Sequence, residues 1–195
     1  MTGTAARQQF DRTPVRTDEQ LIKGCLAGDP GAWAALIDKY KNLIYSVPIR
    51  LGMYQDAGDI FQAVCVDLLS NLSGLREYRA LPKWLMQTCY HQCLRWQRAS
   101  SRDTELGPEE AENAEDTGPL PEETLLQLEE EQALRDAIMQ MPARCERMIR
   151  MLFFESPVRP YAEIASELGL ATGSIGFIRG RCLARLRKQL EVKGF

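Results

Sequence analysis

The fold is decided by residues 160–187, which read PYAEIASELGLATGSIGFIRGRCLARLR. Tyr161, Ile164 and Leu168 recur at helical spacing and predict a first helix with one apolar face. Gly169 supplies the left-handed residue that ends a helix, and Thr172 can cap a second one. Two helices joined by a tight turn, the second of them cationic outside, form the geometry of a helix-turn-helix that enters a DNA major groove. The alternative is an ordinary helical hairpin with a solvated basic face.

The second helix of this stretch divides into an apolar stripe and a polar surface. The stripe consists of Ile175, Ile178, Cys182 and Leu186. Arginine can read guanine or clamp a phosphate, and the sequence does not separate the two roles. The candidate DNA contacts on the outer surface are Thr172, Ser174, Phe177, Arg179, Arg181 and Arg185.

The net charge of −3 conceals a strong partition along the chain. Residues 1–98 carry 12 basic and 9 acidic side chains, and residues 142–195 carry 10 and 5. Between them, residues 99–123 carry 1 basic and 9 acidic side chains and almost no large apolar ones. Such a segment cannot bury enough surface to offset its ordering entropy, which predicts a flexible linker. A solvated spacer is favoured over a polyanion that imitates nucleic acid.

The chain before this linker reads as helical throughout. Residues 1–16 resemble a loose arm. Thr17 and Gln20 make a capping box, and Asp29 before Pro30 is a second helix start. No segment shows sustained strand alternation. We therefore predict an all-α fold of two small helical domains, with a helical bundle at 17–98, an acidic flexible linker at 99–123 and a helix-turn-helix domain at 124–195.

A last helix of the bundle, from about Pro82 to Arg98, has two faces. Leu85, Cys89, Cys93 and Trp96 fall on one stripe and are expected to face inward. Aromatic rings beside cations elsewhere suit single-stranded DNA, because bases stack on rings and phosphates meet the charges. The alternative is that the aromatic residues fill the core and the arginines are solvated. The candidate contacts are Tyr78, Arg79, Lys83, Trp84, Gln87, His91, Arg95 and Arg98.

Several function classes are disfavoured. The six cysteines lack zinc-ribbon or disulfide-framework spacing, and buried thiols are favoured over a metal site at Cys89, His91 and Cys93. No phosphate-cradling loop and no nucleophile–base pair is evident, so we expect neither an enzyme nor a cofactor. No apolar run is long enough to cross a membrane, and no signal-peptide core is present, which predicts a cytoplasmic protein without membrane insertion.

Four segments, in this order and spacing, resemble an extracytoplasmic-function (ECF) sigma factor of bacterial RNA polymerase, within the sigma-70 family. The resemblance runs from about Asp18 to Leu190. Its segments are DEQLIKGCLAGDPGAWAALIDKY, DAGDIFQAVCVDLL, LPKWLMQTCYHQCLRWQR and the stretch that begins at Met141 with MPARCERMIRMLFFESPVRPYAEIASELG.

The resemblance implies a function in transcription initiation. Lys83 and Trp84, with the loop around Tyr78, would hold a flipped base of the −10 element, and the helix-turn-helix would bind the −35 element. The linker would thread the polymerase active-site cleft. The implied partners are core RNA polymerase, promoter DNA and an anti-sigma factor of the kind that commonly restrains this family. The implied contacts with core polymerase are Asp56, Asp59, Ile60 and Gln62.

Two other functions stay open at this point. A free-standing helix-turn-helix regulator, with an N-terminal sensing or dimerisation domain, would bind specific duplex DNA without polymerase. A helical adaptor would have no promoter activity.

Overall fold

The computed structural model describes residues 16–75, 77–102, 118–192 and 194. The predicted arm and most of the predicted linker lie outside these ranges. No strand occurs within them, which confirms the all-α class, and none of their helices combines the length and apolarity of a membrane span. The helices are α1 (Asp18–Leu26), α2 (Pro30–Arg50), α3 (Ala57–Asn71), α4 (Leu81–Arg102), α5 (Glu122–Met139), α6 (Ala143–Phe153), α7 (Tyr161–Leu168) and α8 (Ile175–Val192).

The first two helices begin where the sequence predicts. The Thr17 side chain accepts a hydrogen bond from the Gln20 backbone N–H, and the Gln20 side chain accepts one from the Thr17 N–H. Asp29 caps α2 by accepting from the Gly31 N–H at 2.8 Å, with Pro30 at the first helical position. These caps satisfy donors that a helix start otherwise leaves unpaired.

The chain divides into two compact units. The N-terminal unit spans Arg16–Glu130 and the C-terminal unit includes Glu131–Phe195, so the division falls within α5. Leu120, just before α5, and Leu128, in its first half, are both buried in the same apolar cluster as residues of α1–α4. The domain limits predicted from the sequence, with a linker to residue 123, stay a prediction.

The core of the N-terminal unit is formed by one apolar stripe from each helix. Ile60, Val64 and Leu68 of α3 are buried, and Leu85 and Cys89 of α4 are buried as predicted. The connection from α3 to α4 contains two short 3₁₀ turns, Leu72–Gly74 and Tyr78–Ala80. The second turn lies directly before α4 and presents its side chains beside the start of that helix.

The C-terminal unit has two adjoining apolar clusters. One holds Met141, Ile149 and Leu186, the other Ile164 and Ile175, and Ile178 packs against both. A disulfide joins Cys145 of α6 to Cys182 of α8 with a Cα–Cα distance of 5.5 Å. The cysteine spacing did not predict this bond.

Candidate nucleic-acid interface

The turn between α7 and α8 is fixed by one glycine. Gly169 ends α7 with φ 62° and ψ 43°, a left-handed conformation that favours glycine. After the turn, Thr172 lies exposed in a 3₁₀ turn, Thr172–Ser174, and its side chain makes no cap. The prediction that Thr172 caps the second helix is therefore wrong. Ser174 instead donates its hydroxyl to the Ala171 carbonyl at 2.6 Å, which closes the turn locally.

The outer surface of α8 carries an aromatic–cationic group. The Phe177 side chain is 70% exposed, and the Arg181 guanidinium carbon lies 5.8 Å from its ring centroid. Arg185 is exposed one turn further along. The three residues form an exposed surface that offers apolar contact and positive charge together, both of which a DNA groove accepts.

Arg179 is held differently from the other predicted contacts. It is half-buried, and its Nη1 donates to the Tyr161 hydroxyl at 2.6 Å. Its Nε is buried without a hydrogen-bond partner. Tyr161 was predicted on the inward face of α7, but it is exposed, because the first residue of that helix lies at the edge of the core. The pair links α7 to α8 and sets the position of the Arg179 side chain.

The predicted −10 residues lie on α4 and on the 3₁₀ turn before it. Arg79, Lys83 and Arg95 are exposed, Arg98 is half-buried, and Tyr78 and Trp84 are half-buried against the core. A pocket of about 240 Å³ opens between α3 and α4. Pockets that hold drug-sized ligands have volumes of about 300–1,000 Å³, so this slightly smaller pocket suits a single flat ring system. Its lining is mostly polar and consists of Asp67, Asn71, Trp84, Thr88, His91, Gln92 and Arg95.

Two of the predicted −10 residues bind the protein's own backbone. Gln87 Nε2 donates to the Gly118 carbonyl at 3.1 Å, and Gln87 Oε1 accepts from the Leu120 N–H at 3.0 Å. His91 Nε2 lies 2.8 Å from Gln87 Nε2 and 3.3 Å from the Gly118 oxygen. Sequence reasoning missed these contacts because the partners are about thirty residues away along the chain.

The exposed face of α3 combines acid and apolar groups. Asp59 and Gln62 are exposed, and Asp56 at the helix start is half-buried. Val66 and Leu69 continue the same face and are 62% and 63% exposed. Their spacing from Asp59 and Gln62 is helical, so the sequence held the signal for them. Ile60 is completely buried and packs α3 on the bundle, which corrects its prediction as a partner contact.

The two thiols of α4 are structural. Cys89 and Cys93 are both buried, as predicted, and Cys89 Sγ donates to the Ile44 carbonyl at 3.2 Å. The hydrogen bond with Cys93, together with burial, raises the pKa of the Cys89 thiol and keeps it protonated. In the part of the chain that the structure describes, no group of histidine, cysteine and carboxylate side chains could hold a metal ion.

The helix-turn-helix unit has cations beside an exposed ring and the helical bundle has cations beside half-buried rings, a combination typical of a two-part, all-α DNA-binding protein. The chain is 26% identical to the ECF RNA polymerase sigma factor SigW of Bacillus subtilis over 179 residues. That similarity covers 87% of this chain and 95% of SigW. The chain is therefore similar to an ECF sigma factor over nearly its whole length, in agreement with the resemblance predicted from the sequence.

No protein-family model matches the chain. A chain of the RsbN-BldN complex, solved at 1.8 Å, is 18% identical, with 86% of this chain and 97% of that chain covered and a TM-score of 0.35.

Proposed function

We propose that this protein binds core bacterial RNA polymerase and directs it to promoters, acting as the initiation-specificity subunit. The observation that carries the proposal is similarity to SigW along nearly the whole of both chains, rather than over the helix-turn-helix alone. The chemistry of RNA synthesis belongs to the polymerase, so no catalytic residue is assigned here. A subunit with these partners works in the cytoplasm. An anti-sigma factor stays a prediction from the family.

The contact with core polymerase is assigned to the exposed face of α3. Asp59 and Gln62 offer charge and hydrogen bonds, and Val66 and Leu69 offer apolar area beside them. Protein interfaces combine an apolar centre with a polar rim in this way. Asp56 lies at the same end of the helix as Asp59 and extends the anionic rim toward basic groups of the partner.

Contact with the −10 element is assigned to the pocket between α3 and α4. Trp84 supplies a ring at its wall, and Gln92 and Asp67 supply hydrogen-bonding groups, already joined to each other at 2.6 Å. Extruding a base requires a few kcal/mol, and stacking on an aromatic ring returns about 1–3 kcal/mol per base. The exposed Lys83 and Arg95 are placed to meet the phosphates on either side.

Contact with the −35 element is assigned to α8. Phe177, Arg181 and Arg185 are its exposed contacts, and Ser174 lies at the start of the helix. Arg179 acts from a position set by Tyr161, through the 2.6 Å hydrogen bond. Thr172 lies exposed before the helix, where backbone and hydroxyl groups commonly meet phosphates.

The test is a titration of the labelled full-length chain with purified core polymerase, followed by transcription from a promoter library. Asp59→Ala is expected to weaken core binding about two- to fivefold, the effect of losing one partly exposed ion pair. Val66→Asp is expected to weaken it about tenfold or more, as for a charge placed in an apolar interface centre. The matched controls are Asp38→Ala and Leu26→Asp, an acid and an apolar residue exposed elsewhere in the unit.

The −35 assignment is tested in the same assay. Arg181→Ala is expected to lower transcription from promoters that depend on the −35 element while core affinity is unchanged. Arg187→Ala is the control, because Arg187 is ion-paired with Glu191 at 3.2 Å on a different side of α8. Equal loss of core affinity would contradict the assignment. Specific duplex binding without any core binding would replace the sigma function with that of a free-standing regulator.

A further inference from the structure

The segment that follows the acidic stretch is docked on the face of α4 that the proposed function gives to DNA. We propose that residues 118–128, here called the strap, compete with single-stranded DNA for Gln87 and His91, so that DNA binding by the N-terminal unit requires the strap to leave. This inference depends on the proposed function, because it assumes that α4 meets DNA.

The hydrogen bonds between α4 and the strap are of the kind that reads a base. The Gln87 carboxamide donates one hydrogen bond to the Gly118 carbonyl at 3.1 Å and accepts one from the Leu120 N–H at 3.0 Å. A glutamine that reads adenine uses the same pair, donating to N7 and accepting from the N6 amino group. Gln87 cannot serve the strap and a base edge at once.

His91 belongs to the same site. Its Nε2 lies within hydrogen-bonding distance of both Gln87 and the Gly118 oxygen. It also lines the pocket assigned to a flipped base. The strap therefore occupies two neighbouring polar side chains at the edge of that pocket.

The strap is held by apolar anchors in addition to these hydrogen bonds. Leu120 is 4% exposed, Leu128 is fully buried, and Leu125 packs partly against the same cluster. Gln87 and His91 are only half-buried. The Gly118 end can thus detach and expose Gln87 and His91 while the Leu128 end stays packed, because the anchor nearest to the site is Leu120 alone.

The acidic residues that precede the strap give a basic partner a means of removing the strap from α4. The residues that precede Gly118 in the sequence are strongly acidic, and Gly118 is the residue through which the strap meets Gln87 of α4. Basic surfaces on a partner would attract that acidic stretch and draw it away. The apparent DNA affinity of the free chain is then expected to equal the intrinsic affinity of the open site multiplied by the fraction of molecules in which the strap is undocked.

The test compares the full-length chain with Leu120→Ala and with the matched control Leu126→Ala, whose leucine is 52% exposed on α5. Affinity of the free chain is measured for a labelled, short single-stranded DNA pool of random sequence. If the site is open in about a tenth of wild-type molecules, Leu120→Ala should tighten binding by up to about tenfold, and Leu126→Ala should not. An unchanged affinity for Leu120→Ala would overturn the proposal.

A measurement on the wild-type chain makes the result independent of any folding defect. Hydrogen exchange at the Leu120 amide is followed with and without the same DNA pool at saturation. Loss of protection on DNA binding is expected, and retained protection would overturn the strap's role. Promoter-directed transcription with core polymerase is measured in parallel, so a failure of the proposed function is seen separately from a failure of the strap.

Discussion

Reduction of the disulfide between Cys145 and Cys182 should destabilise the C-terminal unit and leave the N-terminal unit unchanged. The bond joins α6 to α8, and the whole of α7 lies within the loop that it closes. Disulfides are rare in the cytoplasm because thiol reductants keep cysteines reduced. The stability of the α7–α8 pair would therefore depend on the redox state of its surroundings.

The size of the effect follows from the length of the closed loop. The two cysteines are 37 residues apart, and the chain-entropy relation then gives about 4 kcal/mol at 25 °C. A folded unit the size of Glu131–Phe195 has a total stability of about 3–10 kcal/mol at 0.05–0.15 kcal/mol per residue. Reduction should therefore remove a large share of that stability.

The assay uses an internal reference that the sequence supplies. All three tryptophans, Trp33, Trp84 and Trp96, lie in the N-terminal unit, so tryptophan fluorescence reports that unit. Far-UV circular dichroism reports the helices of both units. In urea titrations, reduction or Cys145→Ser should move the C-terminal transition in circular dichroism to lower urea while the fluorescence transition stays in place.

The matched control is Cys65→Ser, which removes a half-buried free thiol from the N-terminal unit. Reduction should have no further effect on Cys145→Ser, because its crosslink is already absent. A difference of less than about 1 kcal/mol between the oxidised and reduced C-terminal unit would refute the loop-entropy reasoning.

Three further predictions concern substitutions of single residues. The pKa of Glu167 is lowered by its hydrogen bonds from Arg147 and Arg159, so its stabilising effect is present above the unfolded pKa of about 4.3 and is lost as the pH falls through the lower folded pKa. Acid titration by circular dichroism should show that Glu167→Gln reduces this loss. Gly169→Ala should destabilise the C-terminal unit by about 1–2 kcal/mol in urea, because a side chain is strained at φ 62°. Asp29→Ala should lower the urea midpoint seen by tryptophan fluorescence by the equivalent of about 1 kcal/mol, through loss of the cap on α2.

Features that depend on near neighbours in the chain could be predicted from the sequence. The capping pair Thr17 and Gln20 is three residues apart, and Asp29 caps a group two residues away. Gly169 ends α7 through its own backbone freedom. The buried stripe of α3 follows from the helical periodicity of its apolar residues alone. These local rules were enough for the helix order and the all-α class.

Features that depend on distant partners could not be predicted. Gln87 and His91 show a helical spacing that suits a solvent-facing surface, but they are bound by a backbone segment far along the chain. Tyr161 was placed inward by periodicity, yet its hydroxyl accepts from Arg179, eighteen residues later. The Cys145–Cys182 bond spans a still longer loop. Each of these contacts is set by tertiary packing, which leaves no periodic trace in the sequence.

The burial of Leu120 and Leu128 with α1–α4 decides where the chain can be cut for fragment studies. A fragment that stops at Arg98, the end of the predicted bundle, lacks both leucines. The apolar surface of α1–α4 that they cover would then be exposed to water. Such a fragment would be prone to self-association through that exposed apolar surface. A fragment of residues 16–130 retains both leucines and is therefore the piece of the N-terminal unit to express, label and study by nuclear magnetic resonance.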